Sequence, residues 1–488
     1  MFTRNRLLIK KLFENSELYK DTDIDICGWI ENFRVQKNNG ISFISLNDGS
    51  CINSLQIIID PKDDDDLLNF DSIYTNGTKG VSIKATGTVV TSPAKGQDIE
   101  LKCKSLKILG KVDASEYPIA KKKLSLEHLR KFPHLRVRTK TISSIARLRN
   151  ICSIATHEFF QSLDFKYVHT PIITSNDCEG AGETFNISNK LSDGELFFGN
   201  NVNLTVSGQL HGETYATAMS DIYTFGPTFR AENSNTPRHL AEFWMIEPEM
   251  CFIDFKDLID VAEDYIKFVI NKCLIDCKDE ILFFNTHYQT ELLDSLQSIV
   301  SKPFIRMTYK QVIEKINQDI NDGKAIIRNE QMDKKNFKKL AKGKHIFEGP
   351  QSEDGLLPDN YDLDSEHEKY MTNNVVNGVL VVTHFPAEIK SFYMKENKDK
   401  TVQAMDILVP NIGELIGGSM REEDYEILKN KMEKLNISIP WYLDTRKYGS
   451  VPHGGFGLGF ERLVMLISGI YNIKDIIPYP RYPKHCSN

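Results

Sequence analysis

From residue 22 to 110 the apolar positions alternate with polar ones in short runs, each closed by turn residues. "DIDICGWI" carries Ile24, Ile26 and Ile30 on one side, and "ISFISL", "LQIII", "VSIKATGTVV" and "IELKCKSL" follow, separated by "NDGS", "TNGTKG" and "SPAKGQD". A period of two bounded by Gly, Asn, Asp and Pro predicts strands and turns. In "LQIII", Leu55, Ile57 and Ile59 share one face, so Gln56 points the other way. From residue 141 the period changes. "ISSIARLRNICSIATHEFFQSL" and "FKDLIDVAEDYIKFVINKCL" have the spacing of helices with one apolar face. "DIYTFGPTFRAE" and "LAEFWMIEPEM" predict two strands joined by the loop "NSNTPRH", and "GVLVVTHF" and "TVQAMDILVP" predict two more. "KYVHTPIITS" reads as a strand interrupted by Pro171, hence a sheet edge or an interface, because proline donates nothing to a ladder. "GFGLGFERLVMLISGI" reads as a glycine-rich strand running into a helix.

These elements predict an α+β chain. Five short strands in the first 110 residues, behind a short amphipathic helix, are expected to close a small barrel of the OB type, a common nucleic-acid platform. Residues 111–140, with two prolines and much of the local charge, read as a basic linker or hinge. Residues 141–488 read as a second domain of alternating helices and strands, with an exposed Lys- and Asn-rich insertion around 322–357.

Composition narrows the class. At 41% hydrophobic and 26% charged residues over 488 positions, the chain is ordinary for a soluble globular protein, and no run approaches the roughly 20 apolar residues of a membrane span. "MFTRNRLLIKKLFENSELY" lacks the apolar core and small-residue cleavage site of a secretory signal, so the expected location is the cytoplasm. Nine scattered cysteines, of which only Cys273 and Cys277 lie close together, point to free thiols in a reducing compartment and complete no zinc site. The net charge is −7, yet residues 101–150 hold fourteen Lys and Arg against Asp113, Glu116 and Glu127. A basic segment on an acidic protein is the footprint of a polyanionic partner, or else a solvated linker.

The candidate chemistry gathers in three places. In "FRAENSNTPRHLAEF", Arg230 and Arg238 bracket a polar loop that ends at Phe243. Arginine grips phosphate with two N–H groups and stacks on aromatic planes, so the stretch suggests a nucleotide. Period two puts Arg230 and Glu232 on one face of the incoming strand, and Phe243, Met245, Glu247 and Glu249 on one face of the outgoing one. In "PHGGFGLGFERLVM", glycines allow close backbone approach and Arg462 follows in the first helical turn. In "MDILVPNIGELIGGSMR", Asp406 and Glu414 are hard oxygen donors suited to magnesium, or plain strand and turn acids, and Arg421 follows a glycine pair.

Pro171, "FRAE…RHLAEF", "GELIGGSMR" and "GLGFERL", in that order, resemble the three signature motifs of the class II aminoacyl-tRNA synthetases, in the subclass that serves aspartate, asparagine and lysine. "EGAGETF", "LTVSGQLHGETYA" and "SEHEKY" are similar to the asparagine-specific branch, and the resemblance covers roughly residues 23–483. It implies a catalytic domain with a mainly antiparallel sheet flanked by helices. It implies ATP-dependent activation of L-asparagine to an adenylate, transfer to the 3′ end of tRNA(Asn), Mg2+ as the accompanying ion, and a homodimer with Pro171 at its interface. It further implies Arg230 on the α-phosphate and Phe243 under the adenine, with Arg462 over its other face and on the γ-phosphate. Glu232 joins the nucleotide set, Arg238 and His239 hold the pyrophosphate end, and Asp406 and Glu414 hold the metal. Glu183, Ser207, Gln209 and Glu247 would surround the amino acid. Phe43, Gln56 and Arg34 would read the anticodon.

Side-chain choice is read from "SGQLHGE". Aspartate-specific members carry a lysine where this chain has Gly212, with Glu213 beside it. A carboxylate there is expected to repel aspartate and accept from an amide NH2, while Arg421 donates to the amide oxygen. An amidating ligase on the same core would have no need of the barrel. A non-catalytic relative would be expected to have lost Arg230, Glu414 or Arg462, and all three are present.

Overall fold

The computed structural model describes residues 6–38, 40–60, 70–93, 96–119, 124–176, 183–328, 341–347 and 355–486. The lysine triplet 121–123, the centre of the 322–357 segment and the beginning of "EGAGETF" lie outside them. The chain forms two compact units, Met1–Arg147 and Leu148–Ser487.

In the first unit β1 (Asp23–Val35), β2 (Ser42–Asn47), β3 (Leu55–Ile59), β4 (Ser82–Thr91) and β5 (Ile99–Gly110) close a barrel in the order β1-β2-β3-β5-β4. Alternate residues fill its interior, among them Ile26, Ile44, Ile57, Ile83 and Leu101, all fully buried. The helix Ile9–Glu14 adds Ile9 and Leu12 to this core, and its first N–H groups are met by the Asp48 carboxylate and the Ser50 hydroxyl. Within 111–140, a helix at Leu126–Leu129 and a 3-10 turn at Arg136–Arg138 bury Leu129 and Arg136, so the described part of this basic segment is folded.

The second unit contains β6 (Lys166–Tyr167), β7 (Ile173–Thr174), β8 (Asn203–Leu204), β9 (Asp221–Phe229), β10 (Glu242–Cys251), β11 (Ile305–Thr308), β12 (Ala325–Ile327), β13 (His345–Phe347), β14 (Leu380–Pro386), β15 (Thr401–Val409), β16 (Gly413–Met420) and β17 (His453–Gly459). Eight of them form a sheet in the order β11-β14-β15-β16-β17-β10-β9-β6. Its five inner pairings are antiparallel, and only the edge pairs β11–β14 and β6–β9 are parallel. The helix Phe255–Asp276, started by an Asp254 capping box, packs Ile259, Ala262, Ile266 and Ile270 inward and touches β16 and β17. The helix Phe460–Ser468 continues directly from β17.

Two expectations need correction. "KYVHTPIITS" is not one strand but β6 and β7, which pair with different partners on either side of Pro171. The 322–357 segment is not simply exposed. Its described ends form the parallel pair β12–β13, and Ala325, Ile327, Phe347 and Leu357 are buried in the apolar core of the second unit. Three-residue strands flanked by lysines leave too little apolar pattern to announce this from sequence.

Gly455 sits in register with Ser419 on one side and Glu249 on the other. A Cβ there would overlap the Pro248 carbonyl and the Glu249 carboxylate. Gly455→Ala is expected to lower stability by about 1–3 kcal/mol, as overpacking does, seen as a lower urea midpoint at an unchanged far-UV spectrum.

Candidate active site

Two cavities open on the face of the central strands. The first, about 130 Å³, is lined by Arg230, Glu232, Arg238, His239, Phe243 and Arg462 among others. The second, about 630 Å³, takes in Ser207, Gln209, Glu247, Lys390, Asp406 and Arg421. Arg230, Met245, Glu414 and Gly457 line both, so the two cavities share a wall.

The first cavity gathers three arginines, Arg230, Arg238 and Arg462, among three glutamates, Glu232, Glu414 and Glu461. Arg230 lies just beyond the end of β9, with its guanidinium carbon 5.4 Å from the centre of the Phe243 ring on β10. Arg462, in the first turn after β17, donates to the Glu414 carbonyl at 2.9 Å and its carboxylate at 3.3 Å. Arg238 lies 3.6 Å from Glu368, and its buried Nε has no hydrogen-bond partner among the described residues. His239 Nδ1 is held between Ser234 and Thr236 in the intervening loop. The helix bearing Arg462 is anchored by a residue that spacing did not single out: buried Glu461 accepts from the Trp244 backbone at 3.0 Å, and its other oxygen lies 2.7 Å from the Arg149 guanidinium as an ion pair. Its place beside Arg462 in "GFERL" was the only hint.

Asp406 on β15 and Glu414 on β16 face a common space over Gly417, whose absent Cβ would lie 2.9 Å from Glu414 Oε1 and 3.6 Å from Asp406 Oδ1. Burial pushes the Asp406 carboxyl up to about 6, with Lys390 opposing and Glu414 adding to the rise. Lys390 donates to Asp406 Oδ2 at 2.8 Å. Two crowded carboxylates at a cleft with space above a glycine fit a hard divalent cation. Among the described residues no third His, Cys, Asp or Glu completes a cage, so the donor set suits an ion that shares its remaining sites with phosphate and water.

The second cavity is floored by an ionic network deeper than sequence suggested. Glu247 accepts from the Ser207 hydroxyl, from Gly208 N at 2.9 Å and from Thr224 at 3.1 Å. Arg421 donates to Glu249 through Nε at 3.2 Å and Nη2 at 2.5 Å, and to Ser419 through Nη1 at 2.9 Å. Three of its five N–H groups are thereby engaged, and the side chain still lines the cavity. Glu213 differs from expectation: it is fully buried, does not line the cavity, and stands behind Gln209 and Arg421. One oxygen accepts from Gln209 at 3.0 Å, and the other from Arg446 at 2.5 Å, Tyr442 at 2.7 Å and His453 at 3.3 Å. Burial alone would raise its pKa, but Arg446, His453 and Arg421 outweigh it and hold the carboxyl well below the usual range. Burial likewise opposes the charge on Arg421, and Glu249 and Glu213 more than offset it. No period in the sequence links residues 213, 249, 421, 442, 446 and 453. They meet because β10, β16, β17 and two helices converge beneath one strand.

Glu183 is exposed and lines neither cavity, though its carbonyl accepts from Ala231 N at 2.7 Å beside Arg230. On the barrel, Arg34 stacks over Phe43 at 4.6 Å, and Gln56 donates to the buried Glu100 at 3.1 Å. Glu100 also accepts from Ser92 and Gln97, so the Gln56 amide is fixed. Pro171 is exposed beside Ile172 and Ile173, which are 45% and 43% exposed.

Residues 125–483 match the family described as tRNA synthetases class II (D, K and N), and residues 24–109 match the OB-fold nucleic acid binding domain. The chain belongs to the class II tRNA synthetases. It is 44% identical to asparagine–tRNA ligase of Treponema denticola, over 95% of this chain and 96% of that one. It is 44% identical to the enzyme of the same name from Cytophaga hutchinsonii, over 98% and 99%. Among solved structures it is similar to asparaginyl-tRNA synthetase from Pyrococcus horikoshii complexed with asparaginyl-adenylate, at a TM-score of 0.81 and 25% identity over the whole of both chains. The asparaginyl-tRNA synthetase of Entamoeba histolytica in complex with asparaginyl-adenylate superposes at 0.78, also at 25% identity, over 96% and 97%. In this synthetase no described helix is long and apolar enough to cross a membrane.

The buried network predicts a sharp asymmetry. Arg446→Met leaves Glu213 buried without its nearest counter-charge and is expected to cost about 3–5 kcal/mol. Tyr442→Phe removes one hydrogen bond and is expected to cost about 1–2 kcal/mol. Urea unfolding of the two variants checks the difference.

Proposed function

We propose that this synthetase is an ATP-dependent asparagine–tRNA ligase, activating L-asparagine as its adenylate and passing it to tRNA(Asn). The observation that carries the reading is the shared wall: a phosphate-binding cavity and an amino-acid cavity meet at Arg230, Met245, Glu414 and Gly457. A carboxylate attacking an α-phosphate needs both substrates in contact there, and full-length similarity to asparagine–tRNA ligases supports the choice of amino acid.

In this reading the chain supplies no nucleophile, and catalysis is positioning plus charge stabilisation. Phe243 carries the adenine from below, and Arg462 covers it and reaches the γ-phosphate. Arg230, at the common wall, neutralises the α-phosphate as the substrate carboxylate closes on it. Glu232 orients the nucleotide, and Arg238 and His239 take the pyrophosphate end. Asp406 and Glu414 would hold Mg2+, which when bound offsets phosphate charge. Ser207, Gln209 and Glu247 hold the α-amino group, with Glu183 brought near through its backbone link to Ala231.

Selectivity then follows from charge. Arg421 offers its two uncommitted N–H groups to the amide oxygen, but Glu249 and Glu213 already balance its cation. An aspartate side chain would add an uncompensated negative charge to that buried place, whereas an amide adds none. Glu213 thus acts through Arg421 and Gln209 instead of touching the substrate. Arg34, Phe43 and Gln56 form the anticodon-reading face of the barrel, Phe43 offering a stacking plane. The exposed Pro171–Ile173 edge is the surface of a homodimer, and the cytoplasm is the site of action.

Pyrophosphate exchange with the purified chain tests this directly. Asparagine is expected to exceed aspartate in kcat/KM by at least about a thousandfold, the range a site with matched hydrogen bonds can reach. Glu213→Gln is expected to narrow that ratio by about tenfold or more, since it removes charge without changing shape. An unchanged ratio would refute the charge account, and exchange with neither amino acid would refute the ligase.

A further inference from the structure

The segment "SEHEKY" forms the short helix Ser365–Tyr370. It is held by two local devices. Asp364 caps its first turn, accepting from Glu366 N at 2.8 Å, and the fully buried His367 stacks on Phe347 of β13 at 4.4 Å. The strand pair β12–β13 therefore fixes the helix against the sheet.

Glu368 on this helix stands behind the first cavity, in contact with two residues that line it, Arg238 and Glu414, and 13% of its side chain is exposed. One oxygen, Oε2, does two things. It accepts from the backbone N–H of Glu414 at 3.0 Å, and it lies 3.6 Å from Nη2 of Arg238. The turn leading into Glu414 is shaped around this contact. Asn411 and Gly413 have φ of 66° and 88°, in the left-handed region, and a Cβ at Gly413 would collide with Glu368 Oε2. Asn373, one turn further on, holds the same turn by accepting from Asn411 N at 3.2 Å. Arg238 meanwhile has a buried Nε with no hydrogen-bond partner among the described residues, so its present position is only partly satisfied.

We propose that Glu368 is a positioning residue of the nucleotide site: it sets the backbone of Glu414, and it is the counter-ion that Arg238 exchanges for nucleotide phosphate. The inference rests on the reading of the first cavity as an ATP site. The guanidinium lies against Glu368, 3.6 Å away and at longer range than an optimal pair. Phosphate oxygens draw it across and satisfy the Nε. Glu368 then remains bonded to Glu414 N, keeping the metal-facing carboxylate in place while the cation moves. The two functions of one oxygen make opposite predictions for two substitutions.

ATP binding to the full-length protein, measured by titration calorimetry at one saturating Mg2+ concentration and again across a Mg2+ series, tests the assignment without an amino acid present. Glu368→Gln keeps an acceptor for Glu414 N and loses the charge that competes for Arg238. Its ATP Kd is expected to fall about fivefold, the scale of a partly screened ion pair. Glu368→Ala loses both contacts, and the Mg2+ concentration for half-maximal ATP binding is expected to rise about tenfold, as when a residue supporting a metal ligand is removed. In an Arg238→Ala background, Glu368→Gln should no longer tighten ATP. Weaker or unaltered ATP binding in Glu368→Gln, or the same gain with and without Arg238, overturns the exchange. The Gln variant and the Arg238 cycle decide the matter even where the Ala variant fails to fold. An unsubstituted protein that bound no ATP at all would instead overturn the reading of the cavity.

Discussion

The second cavity depends on one arrangement: the Glu213 carboxylate, fully buried, held by Arg446, Tyr442, His453 and Gln209. A charge so placed is tolerated only because every side of it is met by a donor. Those donors come from the helix Pro440–Lys447, from the first residue of β17 and from the helix Gln209–Met219. One carboxylate therefore fastens three elements beneath the sheet, and it fixes Arg421 by its field as well as by contact. The apolar core gives the unit its stability, while this cluster gives the cavity floor a single geometry.

The nucleotide side is organised differently. Two of its cations face carboxylates across short gaps: Arg462 meets Glu414, and Arg238 meets Glu368. These pairs are partly exposed, so each is weaker and more easily opened than the buried cluster. A rigid amino-acid floor beside a phosphate cavity of exchangeable pairs suits a reaction in which one substrate must be selected and the other must shed half of itself.

Much of this was legible in the sequence where a short-range signal existed. The barrel followed from alternation in five runs, because strand period is two and its interior needs every second residue. The pairing of Arg230 with Phe243 followed from a hairpin, where contacts are near in sequence. What escaped were contacts between residues far apart in the chain. Glu213 reads as a substrate contact from its place beside Gly212, where aspartate-specific members carry a lysine, yet helical geometry turns it beneath Gln209 towards Tyr442 and Arg446. Glu249, two residues from Glu247 on the same face, was grouped with it, although Glu247 meets Ser207 and Glu249 meets Arg421. The 322–357 segment was judged by its lysines, and the few apolar residues that enter the core, Ile327 and Phe347 among them, were too sparse to register as strands.

The shared wall has a kinetic meaning. In the proposed reaction a nucleotide and an amino acid are each held by one cavity, and their condensation product spans the shared wall and is held by both. Dissociation of such a product requires two sets of contacts to open together, so it leaves more slowly than either substrate alone. A chain with a partition between the cavities would have lost that advantage. Here the boundary is no more than the side chains of Arg230, Met245 and Glu414 and the bare backbone of Gly457, which is how a reactive intermediate can be kept in place until its acceptor arrives.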